Sequence, residues 1–85
     1  MPLSTLEAMA SGKPIIAWDT PMFQQLIDNN INGFLVEYKN YYELSKKIIE
    51  LLNNDELVER FSRNIKLKAK KFDWKYTAQK IIIRV

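Results

Sequence analysis

The sequence contains no cysteine and no histidine. The first absence excludes a disulfide scaffold and a thiolate metal site. The second removes the commonest general base, the usual zinc ligand and any Ser-His nucleophile pair. No apolar run approaches the roughly 18 residues needed to span a bilayer, and no secretory leader pattern is visible. A cytoplasmic location is therefore expected. Repeats, low-complexity segments and flexible linkers are also missing. The 85 residues make one small domain or one piece of a larger one. A chain of this size buries only about 60% of its unfolded surface, which leaves a marginal core.

What is present is ordinary in amount and uneven in arrangement. Apolar residues make up 47% and charged residues 27%, the proportions of a soluble globular chain. Residues 1–59 hold 4 Lys/Arg against 9 Asp/Glu, whereas residues 60–85 hold 9 against Asp73 alone. Such segregation is the mark either of a solvated helical face or of a basic binding surface. The solvated face is the favoured reading.

The N-terminal stretch Pro2-Leu3-Ser4-Thr5-Leu6-Glu7-Ala8-Met9-Ala10 reads as a short helix. Ser4 fits its cap, and Glu7 stands three residues on, where a carboxylate reaches back to the first turn. Gly12 accepts the left-handed conformation that closes a helix, and Pro14 prevents continuation. A helix N-terminus beside a strand end is a common place to hold a phosphate. Ile15-Ile16-Ala17-Trp18 is almost wholly apolar, which favours an inner strand of a parallel sheet. Thr20 and Pro21 then suit the cap and first position of a second helix, with Phe23, Leu26 and Ile27 on one face. Asp28-Asn29-Asn30 ends it.

Asn32-Gly33 precedes a second apolar run, Phe34-Leu35-Val36. The dipeptide suits a hairpin, but the helical pattern before it points to a strand–helix–strand unit, with Gly33 expected at positive φ. Asn40 and Glu43 form another capping pattern, followed by Leu44, Ile48, Leu51 and Leu52 at helical spacing. Asp55 is expected to cap the next helix, whose apolar face is Leu57, Val58, Phe61, Ile65, Ala69 and Phe72. Its other face carries Arg60, Arg63, Lys66 and Lys70. Asp73 is expected to cap a last helix packing through Trp74, Ala78, Ile81 and Ile82. The fold class is thus α/β, helix–strand–helix–strand followed by three helices. Two parallel strands leave unpaired backbone and apolar faces, so something else must cover them.

The run from Pro2 through Ser11-Gly12-Lys13-Pro14 to Ala17 resembles a signature of the retaining, nucleotide-sugar-dependent glycosyltransferases called group 1 or family 4. Asp19, Asn32-Gly33-Phe34-Leu35-Val36, Leu51-Leu52-Asn53-Asn54-Asp55 and Phe72-Asp73-Trp74 continue the likeness in order over nearly the whole chain. The resemblance implies a partial Rossmann-like domain, the C-terminal part of the two-domain GT-B fold. It makes residues 1–85 an incomplete nucleotide-sugar-binding domain, with the N-terminal acceptor domain absent.

By the same resemblance Glu7 is the second of two motif glutamates and binds the ribose hydroxyls of the donor. Backbone N–H groups of Leu3 and Ser4, with Thr5 nearby, face the diphosphate or sugar. The first, more directly catalytic glutamate falls two positions before Met1, so no catalytic residue is expected within the chain. Thr20-Pro21-Met22 stands where many relatives have a glycine pair lining the donor site. No metal and no cofactor are implied, the nucleotide sugar being the substrate. The expected partners are that donor and a missing N-terminal domain or partner chain, with peripheral membrane contact as a further option. Transfer activity is not expected of the fragment alone. Two other readings stand beside this one. The first is a basic module in which residues 60–85 meet an anionic membrane or nucleic acid, with nucleic acid disfavoured. The second is a structural subunit that completes its sheet with a partner.

Overall fold

A computed structural model describes the backbone of residues 3–84 and the side chains of residues 5–72. The elements are α1 (Leu3–Ala10), β1 (Ile16–Trp18), α2 (Pro21–Leu26), β2 (Phe34–Val36), α3 (Tyr41–Leu52) and α4 (Asp55–Arg84). The strands pair in parallel, with Ile16 opposite Phe34, Ala17 opposite Leu35 and Trp18 opposite Val36. The α/β class and the first four elements match the sequence reading.

Three helices were expected after β2, and there are two. Asp73 lies inside α4, where no new helix begins. No glycine or proline interrupts residues 55–84. A single interior aspartate costs at most about 0.7 kcal/mol, too little to break a helix otherwise built of good formers. The packing expected of Trp74, Ala78, Ile81 and Ile82 lies outside the described side chains.

Helix ends follow backbone chemistry closely. Gly12 has φ of 74°. Its N–H donates to the Met9 carbonyl at 3.0 Å, and the Lys13 N–H donates to the Ala8 carbonyl at 3.2 Å. That pair of bonds is a Schellman closure, as the glycine implied. At the other end α1 is already helical at Leu3, so Ser4 belongs to the first turn and does not precede it. A Ser-x-x-Glu pattern suits either position, because first-turn N–H groups lack helical acceptors in both cases. Thr20 has the extended geometry of a cap (φ −122°, ψ 159°) but makes no side-chain capping bond. Asn40 caps α3, its Oδ1 accepting from the Glu43 N–H at 3.0 Å. The cap of α4 is Asn54, whose Oδ1 accepts from the Leu57 N–H at 3.0 Å. Asp55, expected there, is instead the first helical residue, where its charge complements the helix dipole.

Successive strand residues face opposite ways. Ile16 and Phe34 join Leu57, Phe61 and Leu51 in one cluster, while Ile15 and Leu35 join Met9, Leu26, Ile27, Ile65 and Ala69 in the other. Both clusters rest on α4. The rings of Phe34 and Phe61 meet edge to face at 5.0 Å.

The turn before β2 is held by asparagines. Asn32 is buried; its Oδ1 accepts from the Asp28 N–H at 2.8 Å and its Nδ2 donates to the Leu26 carbonyl at 3.2 Å. Positive φ falls on Asn30 (68°) and not, as expected, on Gly33. Glycine is required at position 33 for a different reason. A Cβ there would stand 2.6 Å from the Ile15 carbonyl oxygen, and that oxygen is already the acceptor for the Phe34 N–H. The first rung of the sheet leaves no room for a side chain. Gly33→Ala should therefore lower stability by about 1–3 kcal/mol, the usual cost of forcing extra volume into packed structure. Urea unfolding of the two proteins checks this.

Candidate functional site

The position of α1 is set from its C-terminal end. Met9 is fully buried and Leu6 packs against the same cluster. At Gly12 the backbone comes so close to α4 that a Cβ would meet the Lys66 side chain and stand 2.6 Å from Ser62 Oγ. The N–H groups of Leu3, Ser4 and Thr5 lie in the first turn of α1, where no helical carbonyl accepts from them. They sit at the positive end of the helix dipole.

Thr5 and Ala8 line a groove of about 430 Å³ together with the whole run from Ile15 to Trp18, Phe23 and Leu44. The groove is mainly apolar and follows the side of β1 away from β2. Glu7 is not part of its lining. Helical residues advance about 100° each, so Glu7 projects well away from Thr5. Glu7 is exposed. Its carbonyl accepts from the Ser11 N–H at 3.0 Å and from Ser11 Oγ at 2.9 Å. Among the described residues its carboxylate has no hydrogen-bond partner. The Ser4 side chain lies outside those residues, so the capping pair read from the sequence gains no geometry. The structure thus brings Leu3, Ser4, Thr5 and Glu7 into one short helix and, of the two whose side chains are described, places Thr5 at the groove and Glu7 away from it.

At the carboxyl end of β1, Asp19 donates its N–H to the Val36 carbonyl at 2.7 Å, and its Oδ1 accepts from Gln24 Nε2 at 2.9 Å. The Trp18 ring lies edge-on to Tyr38 (5.8 Å) and Tyr41 (5.7 Å), tying the start of α3 to the strand end. Neither tyrosine was singled out from the sequence, since an aromatic three residues from a turn carries no distinct pattern.

The charged face of α4 is partly structural. Arg60 Nη2 donates to the Asn30 carbonyl at 3.2 Å, Asn64 Nδ2 to the Ile31 carbonyl at 2.7 Å, and Lys68 Nζ pairs with Asp28 at 3.2 Å. These residues stand at four-residue intervals and grip loop 28–31. The spacing was visible in the sequence; the loop it grips was not. Among the described residues no helix is long and apolar enough to cross a membrane, and no group of three His, Cys, Asp or Glu could hold a metal ion.

The sequence model for glycosyl transferases group 1 matches residues 1–68. The chain belongs to that family. It is 39% identical over 69 residues to an uncharacterized glycosyltransferase of Methanocaldococcus jannaschii, covering 81% of this chain and 20% of that protein. A poly(ribitol-phosphate) alpha-N-acetylglucosaminyltransferase of Staphylococcus aureus is 40% identical over 60 residues, 69% of this chain and 12% of that protein. A phosphatidyl-myo-inositol mannosyltransferase of Mycobacterium leprae is 31% identical over 77 residues, 91% and 21% respectively. The chain spans about a fifth or less of the length of these curated relatives.

The grip on loop 28–31 separates two neighbouring residues of α4. Asn64→Ala should cost about 1 kcal/mol, the typical worth of one net hydrogen bond. Arg63→Ala removes no bond seen among the described residues and should stay within about 0.5 kcal/mol. Parallel urea denaturation curves test the contrast.

Proposed function

We propose that this chain is the part of a retaining, GT-B glycosyltransferase that holds the nucleotide of a nucleotide-sugar donor. Glu7 accepts hydrogen bonds from the two ribose hydroxyls, and the first-turn N–H groups of Leu3, Ser4 and Thr5 meet the diphosphate. The observation that carries this reading is an exposed carboxylate one turn behind a helix N-terminus, in a segment that matches the family from residue 1. A carboxylate suits a vicinal diol because it offers two acceptor oxygens, and charge strengthens both bonds. The helix end suits the phosphates because its N–H groups are unsatisfied and its dipole favours negative charge.

The relatives' names differ in the sugar they move, N-acetylglucosamine in one and mannose in another. A segment shared by both fits the common part of the donor, the nucleoside diphosphate, better than the sugar. The first motif glutamate, the acceptor domain and any membrane contact belong to the remainder of such an enzyme. Residues 1–85 alone bind a nucleotide weakly and transfer no sugar, since the donor cleft closes between two domains. The basic-module reading loses ground because Arg60 and Lys68 already serve loop 28–31.

Titration of the labelled chain with ADP, GDP and UDP, followed by NMR, tests the site. At least one should shift the amides of residues 3–7. The 2′,3′-dideoxy form of that nucleotide should bind about tenfold more weakly, matching the loss of a hydrogen bond to a charged group. In Glu7→Ala the two forms should bind alike. Equal affinity for both forms in the unsubstituted chain refutes the ribose role, and sugar transfer by the purified chain refutes its inactivity.

A further inference from the structure

Three aromatic rings meet where the strands end. Trp18 closes β1, Tyr38 stands two residues past β2, and Tyr41 opens α3. The indole meets both tyrosines edge to face, at 5.8 Å and 5.7 Å, with interplanar angles of 81° and 88°. Those contacts hold the phenol rings in place, yet Tyr38 is 60% exposed and Tyr41 63%. Rings fixed before a ligand arrives lose little freedom when it binds. The carboxyl end of a parallel sheet is also where α/β folds receive ligands. Thr5, in the first turn of α1, lines the same groove as Trp18, so the cluster opens onto the groove that α1 borders.

The turn that carries Tyr38 is strained. The Asn40 N–H donates to the Glu37 carbonyl at 2.9 Å, and Lys39 has φ of 67°. Tyr38 has no positive φ, so this is a type II turn, whose third residue is ordinarily glycine. The other described non-glycine residue with positive φ is Asn30, a type that adopts it readily, whereas a lysine adopts it at a cost. What Lys39 gains within the chain is slight, its ammonium lying 5.4 Å from the centre of the exposed Tyr38 ring. Residues held against their backbone preference gather at ligand sites. Polar groups complete the rim. Asp19 Oδ1 accepts from Gln24 Nε2 at 2.9 Å, which leaves Asp19 Oδ2 without a partner among the described residues. Asp19, Glu37 and Lys39 put both signs of charge at this end of the sheet, which does not suit a phosphate-rich ligand.

We propose that Trp18, Tyr38, Lys39 and Tyr41 form a binding site for an uncharged pyranose ring, a ligand separate from the donor nucleotide. A pyranose has a flat C–H face and a rim of hydroxyls. The tyrosine rings cover the face, the Lys39 ammonium donates to the hydroxyls, and Asp19, at the same strand end, accepts from them. Membership of a glycosyltransferase family narrows the occupant of an aromatic platform with a mixed polar rim to a saccharide. The site does not depend on the ribose role of Glu7, so the nucleotide titration can fail while saccharide binding succeeds.

Titration of the labelled chain with the methyl glycosides of glucose, mannose and N-acetylglucosamine, without nucleotide and followed by NMR, is the test. At least one should shift the Trp18 indole N–H and the amides of residues 38–41. Glycerol, which has hydroxyls but no ring face, should leave them in place. Tyr38→Leu keeps an exposed apolar residue and should weaken that glycoside about fivefold, in line with the loss of one aromatic contact. Lys39→Gly should raise the urea midpoint, because the turn is relieved, and still weaken the glycoside about fivefold. A lysine with a purely structural role does not move stability and binding in opposite directions. No shift of these signals by any glycoside overturns the proposal, as do variants that both bind as tightly as the unsubstituted chain. Uridine shifting the same signals more strongly than every glycoside also overturns it, since the platform then stacks a base.

Discussion

One helix face supports everything else in this chain. Leu57, Phe61, Ile65 and Ala69 lie along α4 at helical spacing and are buried. The first two receive the side of the sheet carrying Phe34, and the last two receive α1 and the end of α2. A two-stranded parallel sheet has too little surface to organise a core by itself. Here it is held because alternate residues of the strands have separate places along the same helix. The polar residues bordering that face extend the hold through Arg60, Asn64 and Lys68, which fix the loop leading into β2.

That dependence sets how rigid the N-terminal helix can be. Eight residues are too few for a stable isolated helix, since nucleation is costly and length is needed to repay it. The helix is maintained by Met9 in the core, by its Schellman closure and by the close approach of Gly12 to α4. All three act on its C-terminal half. The first turn, where unsatisfied N–H groups gather, has none of these supports.

The sequence revealed composition-driven features best. Apolar runs located both strands to within one residue, and the α4 stripe was read correctly over 57–72 because its period repeats many times. Features that depend on a distant neighbour were read wrongly or not at all. Gly33 was assigned a backbone conformation, whereas its requirement comes from the carbonyl of Ile15, eighteen residues earlier. Asn32 gave no sign that it would be the buried polar residue of the core, with both ends of its amide engaged. The cap of α4 was misplaced by one residue because Asn54 and Asp55 are both good capping types, and only the geometry distinguishes a cap from a first helical residue. Asp73 failed as a boundary for the reverse reason: a capping type inside strong helical context stays helical. As for Glu7, the local pattern favoured a cap over a site. Only the ordered family resemblance turned that reading toward a site.

The surface left uncovered is not spread evenly. Among the described residues every buried side-chain polar atom has a partner, so the interior is complete as far as it reaches. Yet α3 contributes no fully buried residue, and Ile48, Ile49 and Leu52 of its apolar set remain exposed. Leu44, from the same helix, lines the groove beside β1. The sheet edge without backbone partners and the helix without a full apolar contact therefore adjoin one another. A marginal small domain would gain most by closing such a gap through its own loops, as β2 does on the opposite side, where Asn29 Oδ1 accepts from the Leu35 N–H. That it closes one edge and leaves the other apolar, uncharged and unpaired is a directional property of the sequence.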